Sequence, residues 1–435
     1  MSAEEISERL ETVLAQSPAD ETELVWLEVG RGRATRRGKR IETQLSPERT
    51  VLVRVLDLGR VGSYRTGSSD PGELSGAVRM AMAQARVREP LSGLPHLPAE
   101  NDALANGDGL HDPEVSGLTP GGARRLLQQL DVGRETLQLD WADARVVVYN
   151  SRRIRREAQV TCVGLSASCG RRPGSGRAAD ATRRLQDLNV ATVVERARER
   201  HGSGDLGDRP DDGVPVVLAP EATISLIQML NQESFSAKAY YDGTSFLREH
   251  LGVQVFDRAL NLVDDGTDHD GLPFPFDLEG TAKRRVPLIA DGAPKTPALD
   301  QRQAAVLGLQ PTAHAIGGND ARAQNVFLAP GELNNDEILE AADGGLWIGW
   351  LDHLECHEPN RVRFSARARG VRQIVDGRLG ATLPDLFWQD SLLRAFSAIV
   401  GLGAETTRRP TRDGYLGGFS APSIALAGVE GLRRS

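Results

Sequence analysis

The chain has 435 residues, of which 40% are hydrophobic and 26% charged. That length exceeds the roughly 250–300 residues at which a single core stops growing, so two domains are expected in a globular protein of ordinary composition. A net charge of −8 argues against a nucleic-acid surface, which is basic. Basic runs at Ser151–Arg156 and Gly170–Arg177 read as solvated faces.

The first ten residues, M-S-A-E-E-I-S-E-R-L, are acidic and polar, unlike a secretory signal. No apolar run approaches the ~20 residues of a membrane helix. The three cysteines, Cys162, Cys169 and Cys356, make no disulfide framework. A reduced, cytoplasmic location is the expectation.

Ile6, Leu10, Val13 and Leu14 recur at helical spacing. The stretches 23–29 and 51–58 read as strands, with R-G-K-R (37–40) as a turn. Residues 74–86 are Ala-rich and read as a helix; 97–120 read as a loop; 121–130 as a helix. Residues 144–149 and 157–168 read as a strand pair, joined by a turn at Asn150-Ser151. Thr182–Glu199 is expected to be helical. The Gly- and Asp-rich segment 201–213 has no apolar periodicity and reads as the domain boundary. Beyond it, V-P-V-V-L-A-P (214–220) reads as a buried strand leading into a helix at 222–230. Strands are expected near 346–351, 361–368 and 371–375, and a late helix at Ser391–Val400. The mixed order favours α+β over a doubly wound fold. The expected division is an N-terminal α+β domain with a mixed sheet over 1–205 and a strand-rich C-terminal domain over 214–435.

Five stretches, in order, resemble one family. They are R-V-G-S-Y-R-T-G-S-S-D-P-G-E-L (60–74), V-V-V-Y-N-S (146–151), V-P-V-V-L-A-P-E-A-T-I-S-L-I (214–227), F-D-L-E-G-T-A-K-R-R-V-P-L-I-A-D-G (276–292) and R-F-S-A-R-A-R-G-V-R-Q-I-V-D-G (363–377). Together they resemble the TldD/PmbA metallopeptidases, and they span almost the whole chain. The resemblance implies a two-chain zinc peptidase acting on small or unfolded peptides, leader peptides included. One kind of chain carries H-E-x-x-x-H on the helix after the V-V-L-x-P strand, with a late cysteine. There two imidazoles and a thiolate hold zinc, and the Glu activates water. The other kind lacks the ligands and pairs with the first. An older label links the family to DNA gyrase modulation; the acidic charge opposes direct DNA contact.

Here the corresponding stretch reads L-N-Q-E-S-F-S-A-K-A (230–239). Gln232 and Glu233 stand where His-Glu is expected, Ala237 falls near the second His, and no cysteine follows Cys356. The chain thus resembles the metal-free subunit, PmbA or TldE. It is expected to hold no cofactor itself, the zinc lying in a metal-bearing TldD-like partner; a homodimer is the alternative assembly.

Glu233 is a candidate general base, against a plain helix-surface glutamate. Asp277 and Glu279 of F-D-L-E-G are paired carboxylates on a strand, or a structural turn near a groove. D-H-L-E-C-H-E (352–358) offers His353, Glu355 and His357 as an alternative metal set on one face of a helix or strand. The competing reading is a polar loop between strands 346–351 and 362–368, touching substrate or partner. With Gln232, these residues make up the expected substrate or partner groove. Cys356-His357 is a poor nucleophilic pair, because neighbours on a strand point apart. Cys162 and Cys169, seven apart, fall on opposite strand faces and read as inert. The segment 316–322 fits no phosphate-loop spacing. Two further readings stay open: a self-sufficient metallohydrolase at 353/355/357, and a non-enzymatic peptide-binding protein.

Overall fold

Alternating apolar residues and a tight reversal build one long hairpin. Ala3–Ala15 (α1) leads into Glu21–Arg37 (β1) and Arg40–Asp57 (β2), joined at Gly38, whose φ of 60° suits glycine. The computed structural model describes residues 3–434, except 92, 100–103, 105–108, 131–132, 134, 171–172, 203–212, 318–319 and 412–415. The expected boundary segment therefore lies mostly outside the described residues, as does part of 316–322. The chain continues through Arg60–Thr66 (β3), Pro71–Arg86 (α2), Pro113–Ser116 (α3) and Pro120–Gln129 (α4). Thr136–Asn150 (β4), Arg155–Cys169 (β5), Gly176–Thr182 (β6) and Val190–Glu199 (α5) complete the first half.

The six strands form one antiparallel sheet in the order β3-β2-β1-β4-β5-β6. One face is covered by helices. Ile6, Leu10, Leu74 and Val78 from α1 and α2 pack on Leu24, Trp26 and Val53. Leu127, Val193 and Ala197 from α4 and α5 pack on Leu139 and Leu165. The helix expected from Thr182 starts only at Val190. Asn189 caps it, accepting from Thr192 N–H at 3.1 Å, and Thr182 belongs to β6.

The second half is built around a buried helix. Val216–Leu218 (β7) leads into Pro220–Ser234 (α6), whose first residue, Pro220, has no N–H to satisfy. The remaining strands are Leu262–Asp265 (β8), Arg285–Ala290 (β9), Ala293–Pro294 (β10), Ala315–Gly317 (β11), Asp320–Ala321 (β12), Asn325–Leu328 (β13), Leu346–Ile348 (β14), Trp350–Glu358 (β15), Arg363–Arg369 (β16), Arg372–Val375 (β17), Arg378–Thr382 (β18), Leu386–Ser391 (β19), Ile399–Pro410 (β20), Gly418–Leu426 (β21) and Leu432–Arg434 (β22). A ten-stranded mixed sheet runs β10-β9-β8-β13-β21-β7-β14-β17-β18, with β20 paired to β21. A separate antiparallel sheet runs β15-β16-β19-β22. Helix α6 packs on β21 of the first sheet and β15 of the second. Eleven of its 15 residues are buried, which suits a helix in the middle of a core. The α+β, two-domain expectation holds.

Three further expectations are corrected. The N-terminal sheet is not mixed: its six strands follow one another as antiparallel neighbours or hairpins, so no parallel pair arises. Residues 352–358 are not a loop: they form most of β15, an outer strand whose Leu354 and Cys356 pack on the core. The late helix shrinks to one turn at Leu392–Ala395, because Ile399 onward pairs with β21. No helix among the described residues is long and apolar enough to cross a membrane.

The second face of the six-stranded sheet meets the C-terminal half. Phe274, Phe276 and Leu278 pack on Val25, Leu27, Val146 and Val148. The F-D-L-E-G stretch thus plugs the domain junction. Its Gly280 has φ of 78°, and a Cβ there would sit 2.4 Å from Ile154 Cγ2.

Candidate functional site

Only Ser225, Gln228, Gln232 and Glu233 of α6 escape full burial. Positions 225, 228 and 232 fall on one stripe by helical periodicity, with Glu233 beside its end. Gln232 is exposed and Glu233 half-buried. The helix stops at Ser234, and Ser236 caps the next short helix, Ala237–Tyr241, by accepting from Ala239 N–H at 3.1 Å. Ala237 is therefore beyond the end of α6 and buried, with no donor to offer.

This donor set does not fit zinc. α6 carries no imidazole or thiolate, and a carboxamide beside one carboxylate is a weak set for the ion. Among the described residues, no group of three or more His, Cys, Asp or Glu is gathered to hold a metal, His353/Glu355/His357 included. Those three are exposed on β15. His353 has a positive φ of 50°, at a bulge where the pairing with β16 slips, and a second slip follows at Cys356/Glu358. The ring of His357 is held by Ser365 Oγ at 2.7 Å.

The two stretches that the sequence singled out separately do meet. Burial pushes the Cys356 thiol up to about 11, and the Glu233 carboxylate adds to that shift. The thiol is thus a neutral neighbour of the end of α6, not a nucleophile. Burial likewise raises Cys162 to about 11.

Asp277 and Glu279 do different jobs. Asp277 Oδ1 accepts from the N–H groups of Glu279 (3.0 Å) and Thr281 (2.9 Å), and Oδ2 from Ala315 N–H at 3.0 Å. That is a buried turn lock. Glu279 is gripped by Arg54 and accepts from Gln301 N–H at 3.1 Å. Arg54 also donates to Glu23 at 2.9 Å. Asp300 lines the same cavity of about 440 Å³, and its Oδ2 is buried with no hydrogen-bond partner among the described residues. Carboxylates therefore outnumber cations here. Burial, with Glu279 adding and Arg54 opposing, pushes Glu23 up to about 7. Burial and the Glu279 charge raise Asp277 and take Asp300 to about 6. Arg54 is held charged: burial opposes ionisation, and Glu23 and Glu279 outweigh it.

Arg54, Glu23 and Asp300 escaped the sequence reading because their partners are remote. Arg54 and Glu279 are 225 positions apart, and no local spacing marks them. A hint was available in Glu23 and Arg54 themselves, charged residues within strands of otherwise apolar pattern.

Comparison with known proteins agrees with this architecture. The family profile described as the PmbA/TldA metallopeptidase C-terminal domain matches residues 211–431, about half the chain. A metalloprotease from Methanothermobacter thermautotrophicus is 25% identical over 201 residues, which is 45% of this chain and 44% of the relative. A metalloprotease from Methanocaldococcus jannaschii is 23% identical over 226 residues, 47% of this chain and 49% of the relative. The matched segments thus span about half the length of these curated relatives. Among solved structures, TldE from Thermococcus kodakarensis superposes with a TM-score of 0.82 at 18% identity, covering 98% of this chain and 100% of that one. A candidate modulator of a DNA gyrase from Thermotoga maritima gives 0.82 at 20% identity, covering 99% and 100%. At such identities the structures show a shared fold. Taken with the profile match across its C-terminal half, the chain belongs to the PmbA/TldD metallopeptidase family.

Proposed function

We propose that this chain is the zinc-free subunit of a two-chain peptidase and forms one wall of its peptide cavity. The carrying observation is the open stripe of α6: where the metal-bearing kind of chain is expected to hold zinc, this helix presents an exposed Gln232 and a half-buried Glu233. The zinc and the water it activates would belong to a TldD-like partner. This chain would contribute surface: the stripe of α6 and the neighbouring outer strand β15, which among the described residues pairs on one side only, with β16. An extended, unfolded peptide can add to such an edge through backbone hydrogen bonds, with little demand on sequence. Small or unfolded peptides, leader peptides among them, are the substrates this favours. The domain expectation carries over as part of the proposal: 1–205 and 214–435 as the two folding units.

Co-expression with a metal-bearing relative tests it. The expected result is a complex that cleaves an unfolded peptide when neither chain does so alone, with Gln232→Ala and Glu233→Ala within about twofold of the parent rate. Zinc bound near one per chain in the isolated protein, lost in His353→Ala, would replace this reading with a self-sufficient hydrolase.

A further inference from the structure

A second cavity, of about 500 Å³, opens at the other end of the domain junction. Its floor is the far end of the same sheet face that holds Glu23 and Arg54. Arg31 and Arg33 of β1 continue the register of Glu23, Val25 and Leu27 at two-residue steps. The end of β20, Arg408–Pro410, and Thr411 form the opposite side. Five arginines line the cavity, against Asp140 and Asp180. Three of the five are neutralised. Arg33 pairs with Asp140 at 2.6 Å, Arg408 with Asp180 at 2.7 Å, and Arg31 with Glu48 at 3.2 Å.

Arg177 and Arg409 have no such partner. The Arg177 side chain makes no hydrogen bond or ion pair among the described residues, and Arg409 makes no ion pair there. Arg409 reaches only neutral groups: Ser225 Oγ at 3.4 Å and the carboxamide oxygen of Gln228. Its Nε is buried without a hydrogen-bond partner among the described residues, as is Oγ1 of Thr411, a residue only 8% exposed. Burial and the neighbouring Arg177 charge disfavour the Arg409 cation, and the Glu221 carboxylate, already paired with Arg200 at 2.9 Å, offsets them only in part. Two guanidinium groups lining one half-enclosed space, with no ion-pair partner among the described residues and the Glu221 carboxylate already taken by Arg200, leave an unfilled requirement for an anion. A carboxylate is the matching shape, since it accepts two parallel N–H bonds from each guanidinium fork.

We infer that Arg177 and Arg409 form a carboxylate-binding subsite that anchors an acidic group of a bound peptide. The inference rests on the peptide-wall role proposed above and adds a specificity to it. The wall is continuous: Arg409 holds Ser225 and Gln228, the first two positions of the open stripe that ends at Gln232. Seven helical residues rise about 10 Å, the span of about three extended peptide residues. An acidic residue, or the chain's terminal carboxylate, about three positions from the segment over Gln232 therefore reaches the subsite. A peptide is favoured over a nucleic-acid phosphate because the whole chain carries −8, which opposes a polyanion while leaving a single carboxylate free to dock.

Titration of the full-length chain with short fluorescent peptides tests this. Acetyl-Ala-Glu-Ala-Ala-amide is compared with its Gln analogue, and acetyl-Ala-Ala-Ala as free acid with its amide. Either acid should bind at least about tenfold more tightly than its neutral counterpart; which one does identifies the source of the carboxylate. Arg177→Gln should remove most of that preference, and Arg177 is exposed, so this variant is expected to fold. Arg409→Gln should act in the same direction, and raised salt should weaken the acid alone. Equal binding of acid and neutral peptides, an acid preference that survives both substitutions, or tighter binding of a single-stranded oligonucleotide overturns the subsite. Binding of no peptide at all, neutral ones included, overturns the peptide-wall reading as well.

Discussion

Two buried ionic clusters, one inside the C-terminal core and one at the domain junction, solve the same problem in opposite ways. In the core, Asp264 is fully buried beside His314 (3.1 Å) and Lys283 (3.6 Å), and its Oδ2 accepts from the N–H groups of Gln324 and Asn325 at 2.8 and 2.7 Å. Burial opposes its ionisation, but Lys283 and His314 hold it well below the usual carboxylate range. Burial and Lys283 keep His314 below its ordinary pKa. At the junction, Glu23, Glu279 and Asp300 crowd around Arg54 beside a cavity, and Glu23 and Asp300 are pushed up instead. Depth of burial is similar; the ratio of cations to carboxylates decides the sign. The core cluster is closed and structural. The junction cluster is charge-frustrated and open to a cavity, the usual mark of a place where the domains or a ligand can adjust.

The largest effect should come from breaking the closed cluster. Asp264→Ala leaves Lys283 and His314 unpaired in the core, and a loss of ~3–5 kcal/mol is expected in urea unfolding. A loss below ~1 kcal/mol would show that the cluster is solvated. Next, Gly280→Ala forces a Cβ against Ile154 at an unfavourable φ of 78°. It should cost ~2 kcal/mol and loosen the junction, seen as faster proteolysis between the halves.

The pH response separates the clusters further. Asp300 and Glu23 bind more protons folded than unfolded across the window from about 4, the unfolded value, up to about 6 and about 7 respectively. Their stabilising contribution is complete below about 4 and is lost as pH rises through that window. Asp264 has the opposite sign: its contribution is present above about 4 and lost on acidification. Asp300→Asn keeps a cap for Gln303 N–H while removing the junction's surplus charge. It should raise the melting temperature by ~2 °C or more at pH 8 and by less at pH 5. An equal shift at both pH values would mean that Asp300 is neutral throughout. The smallest effects are expected on the exposed edge of β15, where Glu355→Gln and His353→Ala should stay within ~0.5 kcal/mol.

Much of the fold was legible locally. Alternation located β1, β2, β4 and β5, because half-buried strands need one apolar face. The strand–helix step at Val216–Pro220 was plain from a short buried run followed by proline. Three elements misled. Thr182–Asn189 reads as helical, yet pairing with β5 takes Thr182 and the Asn189 cap sets the start. Ser391–Val400 reads as a helix, yet β21 claims Ile399 onward. D-H-L-E-C-H-E reads as a loop or a ligand cluster, yet pairing with β16 draws it into a strand. In each case pairing with the adjacent strand along the chain overrides the local helix or loop preference.

The sequence alone determined that α6 lacks the donors for zinc, since no folding can make an imidazole of Gln232 or a ligand of Ala237. It also carried the family resemblance, through motifs in order along the chain. Only the tertiary structure decided where charge is balanced. Arg54 meets Glu279 across 225 positions, and Arg409 of β20 meets the neutral Ser225 and Gln228 of α6 while the nearby Glu221 is taken by Arg200. Ionisation depends on burial and on neighbours within a few ångströms, and neither is encoded in spacing along the chain.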